Sequence, residues 1–371
     1  MAHKTRKPTV EDPKTWSVKL PLLSRLSAKD KIILFKYLAV MIEAGIPLER
    51  ALTTIHGQTR SMLLHRVLHI MITNVTSGEF FSTSLRKMPH LFDRTLVGLV
   101  EAGENSGTLA PALFRVSENL EKSHDLKTKV QAALLYPLVV ILATSGVASY
   151  LLFFLLPQIT PLFTSLNLTL PWTTRAVIAI SAFLLAHWAS LLLGIILFVA
   201  VLLVLIRKVS RVRYAVHAFL LYIPIFGGLT RKVQIAQMTR VIGTLVKSGL
   251  TVIEALKISA ESVSNDVYRR ILQEVSDAVQ DGEGIGEQLA KHPTLFPPFI
   301  VQMISVGEET GKLDESFLFV SEFSEHEVDN GVKALTSILE PLLMLVIGAI
   351  VGFIAIAIIT PIYGLTRGIQ G

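Results

Sequence analysis

Cysteine is absent from this 371-residue chain, and charged residues are scarce. Without cysteine there can be no disulfide, no thiolate metal ligand and no cysteine nucleophile. Charged side chains make up 17% of the sequence, whereas a soluble domain usually has about 25%. Hydrophobic residues account for 51%, so we expect a membrane protein. Residues 1–31 have neither the apolar core nor the cleavage site of a secretory signal, which favours a cytoplasmic N-terminus.

Catalytic and ligand-binding motifs are lacking as well. Residues 307–313 resemble a phosphate-binding loop, but the segment is one residue too short and has Leu313 where a hydroxyl would bind magnesium. His65 and His69 are four residues apart, as on the surface of an amphipathic helix. We predict no catalytic residue, no cofactor and no metal ligand, although metal binding by the acidic second half stays open. The chain is expected to act by binding other molecules.

Positive charge is concentrated near the N-terminus. Residues 1–36 carry nine lysines and arginines against three carboxylates, an excess equal to the net charge of +6 for the whole chain. Anionic lipid headgroups or an acidic protein surface would bind such a tail, and a solvated tail explains it equally well. No nucleic-acid partner is expected, because no recognition motif or basic stripe interleaved with aromatic residues is present.

The sequence does contain an internal duplication. An offset of 204 residues aligns Gly45 with Gly249, and the same register continues to Pro157 and Pro361. Such a long fixed register indicates two copies of one structural unit. Apolar side chains recur at helical spacing in both copies, and no alternating strand pattern persists. We predict an all-α fold with two helical bundles of about six helices each, over residues 32–133 and 207–335.

Three segments are apolar and long enough to cross a bilayer, whose hydrocarbon core is about 30 Å thick. We predict transmembrane helices at residues 134–156, 176–206 and 336–360. Basic residues precede the first span and follow the second, whereas residues 157–174 carry no charge. The positive-inside rule therefore places both repeats in the cytoplasm, with the loop 157–175 and the tail 361–371 outside. Two crossings between the copies make the repeats parallel.

One seven-residue motif occurs in both copies, as Gly-Glu-x-Ser-Gly-x-Leu at 103–109 and Gly-Glu-x-Thr-Gly-x-Leu at 307–313. Its first glycine suits a left-handed helix C-cap, its hydroxyl can cap the next helix, and its carboxylate lies near the positive end of that helix. A structural role is the main interpretation, and contact of the carboxylate with a partner is the alternative. The structural positions are Gly103, Ser106, Gly107, Gly307, Thr310 and Gly311; the carboxylates are Glu104 and Glu308.

The two copies differ in charge. Residues 53–125 hold seven basic and seven acidic residues, whereas the matching residues 257–329 hold five and fifteen. We hypothesise that the second copy presents an acidic docking face to a basic partner, for example the basic tail of another copy in a dimer. Besides Glu104 in the first copy, the candidate partner-binding residues are Glu308, Glu309, Asp314 and Glu315.

The repeats also differ where they meet the membrane. The first predicted span starts near Tyr136 and Pro137, and the third starts near Glu340 and Pro341. A carboxylate at this depth is costly unless it faces water or a partner. Two interpretations of Glu340 stay open: the residue lies at the level of the lipid headgroups, or it contacts a partner protein.

The paired Gly-Glu motifs, the sequences Leu-Tyr-Pro137 and Leu-Glu-Pro341, and the closing Pro361-Ile-Tyr resemble the type II secretion system F domain family. The resemblance covers about residues 32–364. It implies an inner-membrane platform, without enzymatic activity, in type II secretion or type IV pilus machines. The implied partners are a cytoplasmic assembly ATPase, pilin-like subunits, other inner-membrane machine components, the lipid bilayer and further copies of the chain. Because Tyr136 matches Glu340, no shared acidic site is implied.

A membrane transporter built on parallel repeats is the alternative. Three spans are few for a transporter, and the predicted spans contain only Glu340 and His187 as ionisable residues of the kind transport uses. The platform interpretation is therefore preferred, without distinguishing secretion, pilus, adhesion and DNA-uptake machines.

Overall fold

The computed structural model describes residues 26–155, 157–158, 172–224 and 226–368, and every regular element in these ranges is a helix. A short π-helical segment, Leu151–Leu155, adjoins the sixth helix. The α-helices are α1 Ala28–Glu43, α2 Leu48–Gln58, α3 Met62–Thr76, α4 Phe81–Arg86, α5 Arg94–Asn105, α6 Leu109–Tyr150, α7 Trp172–Lys208, α8 Ser210–Tyr222, α9 Phe226–Lys247, α10 Val252–Ser262, α11 Asp266–Gln280, α12 Ile285–Ala290, α13 Pro298–Glu309 and α14 Leu313–Gly368.

The helices repeat at the offset found in the sequence. Each of α2 to α5 begins and ends 204 residues before its counterpart among α10 to α13, and α6 and α14 begin at Leu109 and Leu313. The glycines with positive φ form three pairs at the same offset, including Gly45 and Gly249 at the turn after the first helix of each copy. The predicted all-α fold and the duplication are confirmed.

The chain divides into two compact units, of which the first ends at Ser117. Its core consists of side chains from α1 to α5 and the start of α6. Phe35 and Phe92 are fully buried and meet edge to face, with ring centroids 6.0 Å apart. Leu113 and Val116, three residues apart in α6, are both buried, as expected for apolar side chains on one face of a helix.

The second unit begins at Glu118 and contains the remaining helices. Gly243 in α9 permits close packing on α14, because a methyl group there would approach Phe317 and Leu318 to about 3 Å. Tyr268 and Phe296 form an edge-to-face pair with centroids 5.6 Å apart. The segment of α6 beyond Ser117 also belongs here. Its Leu126 packs in a cluster with Leu229 and Ala236 of α9 and with Val328 and Leu335 of α14.

Among the described residues, three helices are long and apolar enough to cross a membrane, namely α6, α7 and α14, which confirms the three predicted spans. In α7 large apolar side chains such as Leu193 and Phe198 are 66% and 68% exposed, as expected for side chains that face lipid. Thr174 at the start of α7 donates a hydrogen bond of 2.7 Å to the carbonyl of Ala357 in α14.

The predicted domain boundaries fall on these helices as follows. Residues 134–155 of the first predicted span lie in α6 and the adjoining π-helical segment, 176–206 lies within α7, and 336–360 lies within α14, which continues to Gly368. Most of the basic tail 1–31 and of the loop 157–175 lies outside the described residues.

Candidate partner-binding surfaces

The carboxylate of the repeated motif caps a helix that precedes it in the chain. In the first copy, Glu104 near the end of α5 accepts hydrogen bonds from the backbone N–H groups of Phe81 and Ser82, at 2.6 and 2.8 Å. These two groups belong to the first turn of α4, where the N–H groups lack partners within the helix. A negative charge at this end of a helix is also favourable for the helix dipole. Glu104 therefore links α5 to α4 through two hydrogen bonds.

The second copy repeats this cap. Glu308 in α13 accepts from the N–H groups of Ile285 and Gly286 in α12, at 2.8 and 3.2 Å. The predicted position of this carboxylate, near the N-terminus of the next helix, is therefore wrong in both copies. Each carboxylate binds the helix before its own, about 22 residues upstream. Both glutamates are only partly exposed.

The glycines and hydroxyls of the motif also differ from expectation. Gly103 and Gly307 lie inside α5 and α13, where a methyl group would overlap with Ala112 in α6 and Ser316 in α14, respectively. The left-handed residues are instead Gly107 and Gly311, with φ of 70° and 71°. The C-cap prediction was therefore placed four residues too early.

Ser106 and Thr310 do not cap the following helix. The Ser106 hydroxyl donates to the carbonyl of Ala102 at 2.7 Å, and the Thr310 hydroxyl donates to the carbonyl of Val306 at 2.7 Å. Both therefore bind back onto the last turn of their own helix, which suits a short polar side chain at a helix end.

Part of the acidity of the second copy is neutralised inside the second unit. Glu325 forms an ion pair with Arg240, Glu327 pairs with Lys232 at 2.8 Å, and Asp329 pairs with Lys129 at 2.8 Å. The hydrogen bond from Lys232 lowers the pKa of Glu327 below its usual value. Because these basic residues lie outside residues 257–329, the count over that segment overstates the acidity of its surface.

Of the four candidate partner-binding residues in this copy, three are available at the surface. Glu309 and Glu315 are exposed and Asp314 is partly exposed, all around the turn from α13 to α14. Glu315 has one weak pairing, with Lys312 at 3.4 Å. Glu308 is already engaged as the cap of α12, so its charge is directed inward.

A second acidic stripe was missed in the sequence. Glu274 and Asp277 in α11 and Asp281, which caps its C-terminus, are exposed and lie three and four residues apart. This spacing places them on one face of the helix. The matching positions in the first copy are Ile70 and Thr73 in α3 and its C-cap, Ser77. The helical spacing of these carboxylates in the sequence indicates the stripe, whereas the total charge of the segment does not.

The residues at the start of the first and third spans lie within continuous helices, where Pro137 is buried and Pro341 is exposed. Helix α6 continues through Pro137, and α14 continues through Pro341. Tyr136 is 51% exposed, and Glu340 is also exposed. The exposure of Glu340 is compatible with both interpretations given above.

A cavity of about 620 Å³ lies in the second unit where α6 passes from charged to apolar sequence. Its lining includes Lys127 and Gln131 together with Leu134 and Leu220. Gln234 also lines it and is 7% exposed, and among the described residues none donates a hydrogen bond to its Oε1. The cavity thus combines an apolar wall with one buried acceptor.

Three histidines of the first unit lie together on α2 and α3. The ring of His56 is 3.6 Å from that of His65 and 6.2 Å from that of His69, measured between centroids. Over the described part of the chain, no group of three histidine, aspartate or glutamate side chains is arranged to hold a metal ion. Burial lowers the pKa of His56, and the two neighbouring histidines lower it further.

This arrangement predicts that acidification lowers the stability of the packed helices α2 and α3. The unfolded chain takes up a proton at His56 near its ordinary pKa of about 6.5, whereas the folded chain does so only at lower pH. Stability should therefore fall as the pH drops from about 6.5 to the lower folded pKa, and His56 should add no further change below that. Amide hydrogen exchange of α2 and α3, corrected for intrinsic rates, measures this. An equal pH dependence in H56Q would contradict the assignment.

Two stretches of the chain match one known protein family. The sequence model of the family described as "Type II secretion system (T2SS), protein F" matches residues 34–157 and again residues 238–361. Both ends of the second match lie 204 residues after those of the first, as the helices do.

Several individual proteins are similar over most of their length. The chain is 36% identical over 348 residues to the type IV pilus assembly protein PilC of Thermus thermophilus, which covers 93% of this chain and 85% of that protein. It is 34% identical over 343 residues to the type IV pilus assembly protein TapC of Aeromonas hydrophila, covering 92% and 83%. It is 30% identical over 351 residues to the type II secretion system protein F of Pseudomonas aeruginosa, covering 92% and 84%.

Proposed function

Because this chain belongs to the type II secretion system protein F family, we propose that it is the inner-membrane platform of a type II secretion or type IV pilus machine. In this role it couples a cytoplasmic assembly ATPase to the addition of pilin-like subunits to a filament. Both repeats and the N-terminus lie in the cytoplasm of a bacterium, as the basic flanks of the spans favour. The platform acts through contacts with other proteins and carries out no chemical reaction.

The observation that supports this coupling best is the continuity of α14. This single helix begins at Leu313 inside the second bundle and ends at Gly368 beyond the third span. Phe317 and Val320 are fully buried in the bundle, whereas Met344 and Leu345 are 62% and 72% exposed in the apolar segment. If the ATPase displaces the bundle, the span should therefore move with it, because no loop separates the two parts of α14. Pilin-like subunits, whose apolar segments lie in the same membrane, would meet the moving span.

The acidic turn between α13 and α14 is the proposed docking site for a basic partner. Glu309 ends α13, and Asp314 and Glu315 lie in the first turn of α14, so a partner bound there acts on the helix that enters the membrane. Complementary charge at such a surface mainly sets the rate and specificity of association. The partner is a basic surface of the ATPase or, in a homo-oligomer, the basic tail of another copy.

Reversing these three charges should weaken partner binding selectively. In E309K/D314K/E315K we expect recovery of the ATPase with the tagged protein to fall at least about tenfold, because three attractions become repulsions. Glu308 is left unchanged, since its loss would disturb α12. Affinity purification in mild detergent followed by mass spectrometry measures the recovery.

The matched control makes the same change of charge on α11, as E274K/D277K/D281K. This control should retain the partners if the turn is the docking site. Equal recovery from the turn variant and from the unmodified protein would exclude the turn. Recovery of neither an ATPase nor pilin-like subunits with the unmodified protein would contradict the platform role itself.

A further inference from the structure

Helix α8 begins where the second span ends. Lys208 is the last residue of α7, Ser210 is the first of α8, and Val209 between them is extended, with φ −111° and ψ 104°. The regular helix is therefore interrupted at the edge of the apolar segment. Arg207 and Lys208 occupy the last turn of α7, and Arg211 is exposed in the first turn of α8.

One face of α8 is fixed to the second bundle. Arg213 forms an ion pair with Asp266 at the start of α11, and His217 Nδ1 accepts a hydrogen bond of 3.0 Å from the Asp266 backbone. The guanidinium of Arg270 lies 4.2 Å from the centroid of the Tyr214 ring. These contacts involve side chains of neighbouring turns and determine which face of α8 points away from the bundle.

The face that points away is apolar and aromatic at one end and basic at the other. Arg211, Ala215, Phe219 and Tyr222 are all exposed and follow one another at spacings of four, four and three residues. Phe219 is 68% and Tyr222 is 81% exposed. Exposed aromatic side chains next to lysine and arginine are typical of helices that lie in the interface between water and lipid.

We propose that α8 lies in the headgroup region of the bilayer and binds anionic phospholipids of the leaflet at which α7 ends. Phe219 and Tyr222 enter the lipid, while Arg207, Lys208 and Arg211 face the phosphate groups. Lipid is the expected occupant because this face continues directly from a lipid-facing span and carries the charge that attracts anionic headgroups.

A deeper insertion of α8 together with α9 is not favoured. The chain bends by 111° between the two helices. However, α9 carries Lys232 and Arg240, whose partners Glu327 and Glu325 lie in the bundle part of α14. These ion pairs place α9 in the bundle. The lipid contact therefore involves α8 alone and does not depend on the proposed platform function.

Spin labelling of single cysteines tests the position of α8. Since the chain has no cysteine, each introduced cysteine is the only labelled site. The variants are F219C on α8, L193C in the span as a lipid reference, and Q273C on the exposed face of α11 as a water reference. Each full-length protein is placed in nanodiscs of phosphatidylglycerol and phosphatidylcholine. Collision rates with oxygen, enriched in lipid, and with a water-soluble nickel chelate are then measured.

At F219C we expect the ratio of oxygen to nickel collisions to exceed that at Q273C at least about threefold and to remain below that at L193C, as for a side chain at headgroup depth. Y222C provides a second label on the same face if F219C does not fold. A ratio equal to that at Q273C would place α8 in water and overturn the proposal. Protection from both reagents would indicate a protein partner and would overturn it too.

The charge dependence is tested in the same samples. In nanodiscs of phosphatidylcholine alone, the ratio at F219C should move towards the water reference, because the attraction to anionic headgroups is lost. The ratio at L193C should not change, since the span stays in the lipid. An unchanged ratio at F219C would contradict the binding of anionic lipid.

Discussion

Replacing Glu308 with alanine should destabilise the second repeat by about 3 kcal/mol, because two hydrogen bonds to a charged acceptor are lost in a partly buried site. The N–H groups of Ile285 and Gly286 would lose their acceptor. The short helix α12 has six residues, too few to be stable without such contacts. We therefore expect faster amide exchange in α12 than in the unmodified protein, together with a lower resistance to denaturant.

The neighbouring residue provides the control for this experiment. Glu309 is exposed and follows Glu308 directly, and E309A should change stability by no more than about 0.5 kcal/mol. The duplication supplies a second comparison, since E104A should have the same effect on α4 in the first unit. If exchange in α12 were the same in E308A and E309A, the capping role would be refuted.

Replacing Gln131, Ala132 and Ala133 with three glycines should abolish filament assembly while the protein remains in the membrane. These residues lie in α6 between Leu126, which is held by α9 and α14, and the apolar sequence that starts at Leu134. Three glycines disfavour the helix by roughly 3 kcal/mol relative to alanine. Under the proposed function, motion of the cytoplasmic part would then no longer reach the first span.

The control for the glycine variant is Q131A, which leaves three alanines in a row and maintains the helix. Filament assembly on the cell surface, or secretion through the machine, is compared at equal protein levels in the membrane. Q131A should assemble as the unmodified protein does. Normal assembly by the glycine variant would argue strongly against transmission through a continuous helix.

The duplication made much of the fold predictable. Once Gly45 is aligned with Gly249, each helix of one copy marks the position of a helix in the other. The three spans were predictable for a different reason, since apolar stretches of this length with at most one charged residue have few alternatives to a membrane. The resemblance to the secretion family depended on the same repeated motifs and is confirmed by the two family matches.

The details of the motif were not predictable because they depend on residues distant in the chain. Gly103 and Gly107 are both plausible helix terminators by sequence, and only the packing of Gly103 on Ala112 distinguishes them. The target of Glu104 lies 23 residues upstream, at Phe81. Similarly, a count of charges along residues 257–329 cannot include Lys129, which neutralises Asp329 from another helix. Local sequence determines the helices, whereas these contacts depend on how the helices pack.

The position of α6 in the second unit has a mechanical consequence. Leu126 is enclosed by residues of α9 and α14, and Lys129 is bonded to Asp329 shortly before both helices become apolar. The helices that form the first and third spans thus pack against the same cluster at the ends of the spans nearest the bundle. A force applied to one span is therefore transmitted to the other through this cluster. The two spans should move together rather than independently.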